Sequence, residues 1–219
     1  MKSIVLYQHE VRAVLSNGRA LILRPVRFRK PAFVPPGCLA ALELASFDGT
    51  NVVLRDGVSR MVPIKCPYGH SGDSLVAKET WSGSTETGYV YKVSEGGHRI
   101  WYRADNNRPT WADGRWRSGV VMPCWASRIT LRVSSIRVLR VRSLAREDVL
   151  AVGLPSFTSN LGPRSNPQRI YQVNEYDEGG YFSPVEAFEN LWNSINHKKG
   201  FGWEMNPWVW AVTAENEDE

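Results

Sequence analysis

Short stretches of alternating apolar and polar residues dominate the chain, and only a few segments carry helical spacing. In EVRAVLSNG (10–18), Val11, Val14 and Leu15 share one helical face, and Asn17-Gly18 supplies a left-handed stop. RALILRPVRF then reads as a strand, which Pro25 confines to a sheet edge or a bulge because proline cannot donate to the ladder. After a Pro- and Gly-containing stretch (31–37), ALELASF and NVVLRDG predict two short strands turned near Asp48-Gly49. In SLVAKETW (74–81), Leu75, Ala77 and Glu79 alternate with Val76, Lys78 and Thr80. Tyr89–Val93 and Ile100–Ala104 predict a hairpin around Glu95-Gly96-Gly97.

Residues 128–142 carry the clearest strand pattern. Ile129, Leu131 and Val133 point one way, and Ser134-Ser135 shifts the phase before Ile136 and Val138. One extra residue that flips the register predicts a β-bulge or a sharp corner. A helix is expected over 144–152. From Gly153 to Tyr181 the chain is rich in Gly, Pro, Ser and Asn and reads as a long, partly mobile loop. Ser183-Pro184-Val185-Glu186 has the form of a capping box with proline at the first helical position. The helix it opens places Val185, Phe188, Leu191, Trp192 and Ile195 on one stripe, and PWVWAVT (207–213) reads as a final buried strand. Together these elements predict a single, mainly β (α+β) domain over 1–214, with a loop insertion at 153–183 and an acidic tail at 215–219. Many short strands and few helices favour a small barrel with flanking helices over an open parallel sheet.

The chain of 219 residues is 42% apolar and 22% charged, a balance that supports one buried core and argues against wholesale disorder. No apolar run approaches a membrane span, and the early charges of MKSIVLYQHEVRAVL do not suit a signal peptide. Cys38, Cys66 and Cys124 are odd in number and unpatterned, which predicts free thiols in a reducing compartment. Charge changes the picture through its distribution more than through the net +5. Residues 11–30 hold five arginines and a lysine without an acid, and residues 114–142 hold seven arginines without one. Such stretches suit a polyanion, since guanidinium forks match phosphates and stack on bases. A solvated β face has the same composition.

A Walker loop, a dinucleotide glycine fingerprint, a nucleophile elbow and paired CxxC motifs are all absent. Cys66 and His70 are four apart but lack a second ligand pair, so neither a metal nor another cofactor is expected. Glu79 falls on a strand among apolar neighbours, where a carboxylate must pair with an arginine or take a raised pKa. Of the nine tryptophans, Trp203, Trp208 and Trp210 are expected in the core. Trp81 and Trp125, next to Glu79 and to Ser127-Arg128, are candidates for a base-stacking wall.

In sequence order, VRAVLSNGR (11–19), CPYGHSGDSLVAKETW (66–81), YRAD (102–105), MPCWASRITLRV (122–133), FENLWNSI and NPWVWAV (206–212) resemble the phage and prophage branch of the ASCH-domain family. The resemblance implies a PUA-like β-barrel that handles nucleic acid or a modified nucleobase in the cytoplasm of a host bacterial cell. One related group hydrolyses acylated cytidine nucleosides with a lysine and a threonine after the glycine turn plus a strand glutamate. The glutamate corresponds to Glu79, but the lysine and threonine positions fall on Ala20 and Leu23. Neither alanine nor leucine can activate or act as a nucleophile, so the resemblance implies binding without that hydrolysis. Were the chain an enzyme, Glu79 would be its catalytic residue.

The expected ligand residues are thus Arg19, Arg24, Glu79, Trp81, Tyr102, Arg103, Trp125, Ser127 and Arg128. The expected partner is RNA, DNA or a modified nucleoside. A divergent nucleoside hydrolase or ribonuclease, and an accessory factor that binds a host protein, are the alternatives.

Overall fold

A computed structural model describes residues 2–27, 42–55, 61–84, 99–106, 115–159, 168–173 and 180–217. It has a mainly β, α+β architecture. The strands along the chain are β1 (Lys2–Val5), β2 (Arg19–Pro25), β3 (Glu43–Phe47), β4 (Asn51–Arg55), β5 (Met61–Lys65) and β6 (Ser74–Lys78). They continue with β7 (Trp81–Ser84), β8 (Arg99–Tyr102), β9 (Ile129–Arg140), β10 (Ser156–Ser159), β11 (Gln168–Tyr171) and β12 (Trp208–Asn216). Three α-helices accompany them among the described residues: α1 (Gln8–Asn17), α2 (Arg146–Ala151) and α3 (Pro184–Asn196).

The central sheet has the order β1-β6-β9-β12-β2. β1 runs parallel to β6, and the remaining neighbours are antiparallel. A three-stranded sheet β3-β4-β5 and two hairpin ladders, β7-β8 and β10-β11, complete the described strands. None of these sheets closes on itself, so the expected barrel is not formed among the described residues. β1 and β2 are instead open edges of the central sheet, and Pro25 sits on such an edge as its missing N–H requires.

The central sheet buries both faces. One face carries Ala20, Ile22, Leu131, Val133, Trp210 and Val212 against α1 and against Val52 and Leu54 of β4. The other carries Leu21, Leu23, Val209 and Ala211 against Val149, Val152, Phe188 and Trp192 on or beside α2 and α3. This two-sided burial explains why ALIL in β2 is continuously apolar rather than alternating.

The phase shift at Ser134-Ser135 is a bulge. Thr213 pairs with Ser135 and Ala214 with Val133, which leaves Ser134 as the extra residue, and its hydroxyl donates to Thr213 O at 3.1 Å. The buried positions accordingly move from Ile129, Leu131 and Val133 to Ile136. α1 ends as expected at Gly18 (φ 68°), whose N–H donates to Val14 O. The Asp48-Gly49 turn is held by the Asp48 carboxylate, which accepts from the N–H groups of Thr50 and Asn51, with Gly49 at φ 89°. Ser183 accepts from Glu186 N to start α3.

Other expectations need correcting. The α3 stripe is Ala187, Phe188, Leu191 and Trp192, whereas Val185 is exposed. The stretch from Gly153 to Tyr181, expected as loop, contains the β10-β11 hairpin, and Tyr171 bridges Tyr181 through two 2.8 Å backbone bonds. The supposed acidic tail begins inside β12: Glu215 pairs across to Arg19 and Arg132, and the Glu217 carboxylate binds Arg132. The predicted strand at 89–93 lies outside the described residues. β8 pairs instead with β7, a strand the alternation had not separated from β6.

Candidate functional site

Glu79 follows β6 directly, and Gly119 of the 119–121 turn lies flat against its backbone. A Cβ on Gly119 would stand 3.0 Å from Lys78 O and 3.1 Å from both Glu79 N and Glu79 O. That approach lets the Met122 sulfur accept from Glu79 N at 3.3 Å. The following segment returns to β9 past Ser127, whose hydroxyl donates to Ala77 O at 2.6 Å. It thereby delivers Arg128 to the end of β6.

Arg128 binds Glu79 side-on, Nε to Oε1 at 2.9 Å and Nη2 to Oε2 at 3.2 Å. Its outer edge takes Asp105, with Nη1 to Oδ2 at 2.9 Å and Nη2 to Oδ1 at 2.7 Å. The guanidinium also lies over the Tyr102 ring, 4.0 Å from its centroid, and the Tyr102 hydroxyl donates to Ala126 O. Sequence reasoning missed Asp105. A short 3-10 turn (Arg103–Asp105) places it three residues after Tyr102, and that spacing brings an aromatic and an acid to one side.

Charges in this cluster do not cancel: one guanidinium stands between two carboxylates. Glu79 is only 3% exposed, and burial pushes its carboxyl above the usual range despite Arg128. Burial works against the Arg128 charge as well, but its two carboxylates outweigh this and hold the guanidinium more firmly protonated. The Tyr102 phenol is raised by burial. Each Glu79 oxygen accepts one hydrogen bond from Arg128 and retains further acceptor capacity.

Around this cluster the structure gathers Glu79, Tyr102, Ser127 and Arg128 of the sequence-predicted residues, with Arg103 and Trp125 at its margin. Arg103 is exposed and stacks 5.7 Å from the Trp116 centroid, while Trp125 is 37% exposed. Trp81 departs from expectation. At 2% exposure, with Arg117 stacked 5.4 Å from its centroid, it packs against Met122 and Ala126 and offers no open stacking face. Its indole N–H is buried without an acceptor.

Arg24 departs further. It points into the protein and pairs with Glu10, Nη1 to Oε1 at 2.6 Å and Nη2 to Oε2 at 2.8 Å, and it also donates to the carbonyls of Leu23 and Val5. The Tyr7 ring covers it at 4.5 Å. Arg24 is therefore an internal ion-pair partner rather than a ligand contact. Arg19 lies elsewhere too, in a cleft of about 1050 Å³ with Glu147 and Glu215. Ala20 and Leu23, the positions at which the sequence departs from the related hydrolases, face opposite sides of β2 and are both buried, so they do not share a pocket.

The arginine-rich stretch is also mostly spoken for. Arg132 meets Glu217, Arg137 meets Asp148, Arg142 approaches Glu204 at 3.8 Å, and Arg140 donates to the carbonyls of Leu42 and Asn206. Acids distant in sequence neutralise what reads locally as a polyanion footprint. Arg103, Arg115 and Arg117 remain without a carboxylate partner among the described residues, and Arg103 and Arg117 stack on tryptophans.

No group of three or more His, Cys, Asp or Glu suited to a metal occurs among the described residues, and Cys66 and Cys124 are free. No described helix is long and apolar enough to cross a membrane. Comparison of the chain with protein-family models, with curated proteins and with solved structures finds no match.

Proposed function

We propose that the chain binds RNA, DNA or a modified nucleoside at the Glu79–Arg128–Tyr102 cluster, in the manner implied by its resemblance to phage-type ASCH proteins. One observation carries this reading. The backbones of Arg103 and Arg117 bond Thr80 and Trp81, directly after the buried Glu79, and both arginines stack on tryptophans without a carboxylate partner among the described residues. Glu79 would accept from an exocyclic amine, Arg103 and Arg117 would meet phosphates, and the half-exposed Trp125 would stack on a base. The free thiols Cys66 and Cys124 fit a reducing compartment, consistent with action in the cytoplasm of a host bacterial cell.

The test is a titration of short RNA and DNA oligomers, and of modified nucleosides, at two salt concentrations. Binding of the oligomers should weaken steeply with salt, and R103A and R117A should each reduce the logarithmic salt slope by about 1. Binding that ignores salt, or that survives R103A/R117A unchanged, sinks the reading.

A further inference from the structure

A second pocket, of about 490 Å³, is lined by Arg146, Gln168, Arg169, Tyr171 and Phe182 and shares no residue with the Glu79 cluster. Arg146 opens α2 and Arg169 lies in β11, so two separate elements deliver guanidiniums to one cavity. Both arginines are exposed, and neither has a carboxylate partner among the described residues. Arg137 of β9, by contrast, is paired with Asp148. Among the described lining residues two cations converge without an acid, an arrangement whose complement is an anion, and paired guanidinium forks suit a phosphate.

The same pocket presents an aromatic ring held outward by fixed backbone. Phe182 is 70% exposed, so its ring is accessible to a ligand in the pocket. It is placed there by the two 2.8 Å bonds between Tyr171 and Tyr181. Gly180 is needed for that approach, since a Cβ would stand 2.1 Å from Ile170 Cγ2. Tyr171, buried, forms the floor. Arg169 and Tyr171 also line another cavity, of about 410 Å³, that reaches Arg12 on α1.

We propose that this pocket binds a nucleotide, with the phosphate between Arg146 and Arg169 and the base against Phe182. The chemistry is common to a free nucleotide and to the 5′-phosphorylated end of a strand. The inference rests on these residues and not on the Glu79 reading.

The full chain is titrated calorimetrically with AMP, adenosine, inorganic phosphate, and a tetranucleotide with and without a 5′-phosphate. AMP should bind at least tenfold more tightly than adenosine, and R146Q and R169Q should each weaken it at least tenfold. F182A should weaken AMP while leaving inorganic phosphate unchanged. These substitutions are on the surface, and unchanged circular dichroism confirms that they fold. A 5′-phosphorylated tetranucleotide that outcompetes AMP tenfold identifies a strand end as the ligand, and parity identifies the free nucleotide. Adenosine binding as tightly as AMP, or AMP binding unaffected by R146Q and R169Q, overturns the proposal. AMP binding lost in R103A/R117A but retained in R146Q and R169Q moves the ligand to the Glu79 cluster and overturns it equally.

Discussion

Replacing Arg24 with methionine tests whether it is an internal ion-pair partner. The substitution roughly keeps side-chain length but leaves Glu10, 2% exposed, without its guanidinium. Four hydrogen bonds are lost: two to Glu10 and one each to Val5 O and Leu23 O. Glu10 keeps only its bond from Tyr7 N at the start of α1, 2.8 Å long. Stranding one member of a buried pair costs about 3–5 kcal/mol, mostly the desolvation of the orphaned charge. In a domain of this size each kcal/mol moves Tm by roughly 2–4 °C, so R24M should melt about 6–20 °C lower. Guanidinium chloride unfolding should show a reduced midpoint with an unchanged slope, since the surface exposed on unfolding is the same. The double variant E10L/R24M removes both charges and should recover much of the loss, because an apolar pair of similar volume is often neutral in such sites. A phosphate contact at Arg24 predicts the opposite pattern: near-native stability with a changed salt dependence of nucleic-acid binding. An R24M loss below about 1 kcal/mol would refute the internal role.

Other expectations are more local. G119A should destabilise by about 1–3 kcal/mol in denaturant titrations, because its Cβ meets backbone at Lys78 and Glu79 that cannot rotate away; wild-type stability contradicts that packing. For Glu79, burial raises the folded carboxyl above 4.5, so the folded state holds the proton more tightly than the unfolded chain. The stability of wild type relative to E79Q should therefore fall as pH rises from about 4.5 through the folded pKa; melting curves with a pH-independent difference would count against it. Asp48, held by Asn51 side-chain and backbone donors, should titrate near 2 by carboxyl NMR, and a midpoint near 3.8 would show that these hydrogen bonds do not persist in solution.

What the sequence discloses follows the range of the interaction. The Ser134 bulge was legible because a period of two cannot change phase without an extra residue. The Gly18 stop, the Asp48-Gly49 turn and the Ser183 cap were legible because their donors and acceptors lie within four residues. The Glu79–Arg128 pair was partly legible: an acid in an apolar strand needs a cation, although the pattern does not say which. Asp105, the second acid on Arg128, carries no comparable signal. Glu10 escaped notice as the partner of Arg24, fourteen residues away, because an acid in the first turn of a helix already has a local explanation. The acids that quench Arg132, Arg137 and Arg142 lie between 11 and 85 residues away, so a locally acid-free window overstated the basic surface. β1 was missed for the same reason, since its parallel partner β6 begins more than seventy residues later.

The position of β12 has a consequence for how the protein is made. Among the described strands this last one alone links β9 and β2, so β2 has no described strand neighbour until residues 208–216 exist. At ordinary translation rates about 10–40 s separate the synthesis of β2 from that of β12. Throughout that interval Ala20, Leu21, Ile22 and Leu23, all buried in the finished sheet, form an unpaired apolar segment on the nascent chain. The central sheet is therefore completed late in synthesis, and a chain stopped before Trp208 would present an unfinished edge to chaperones and proteases.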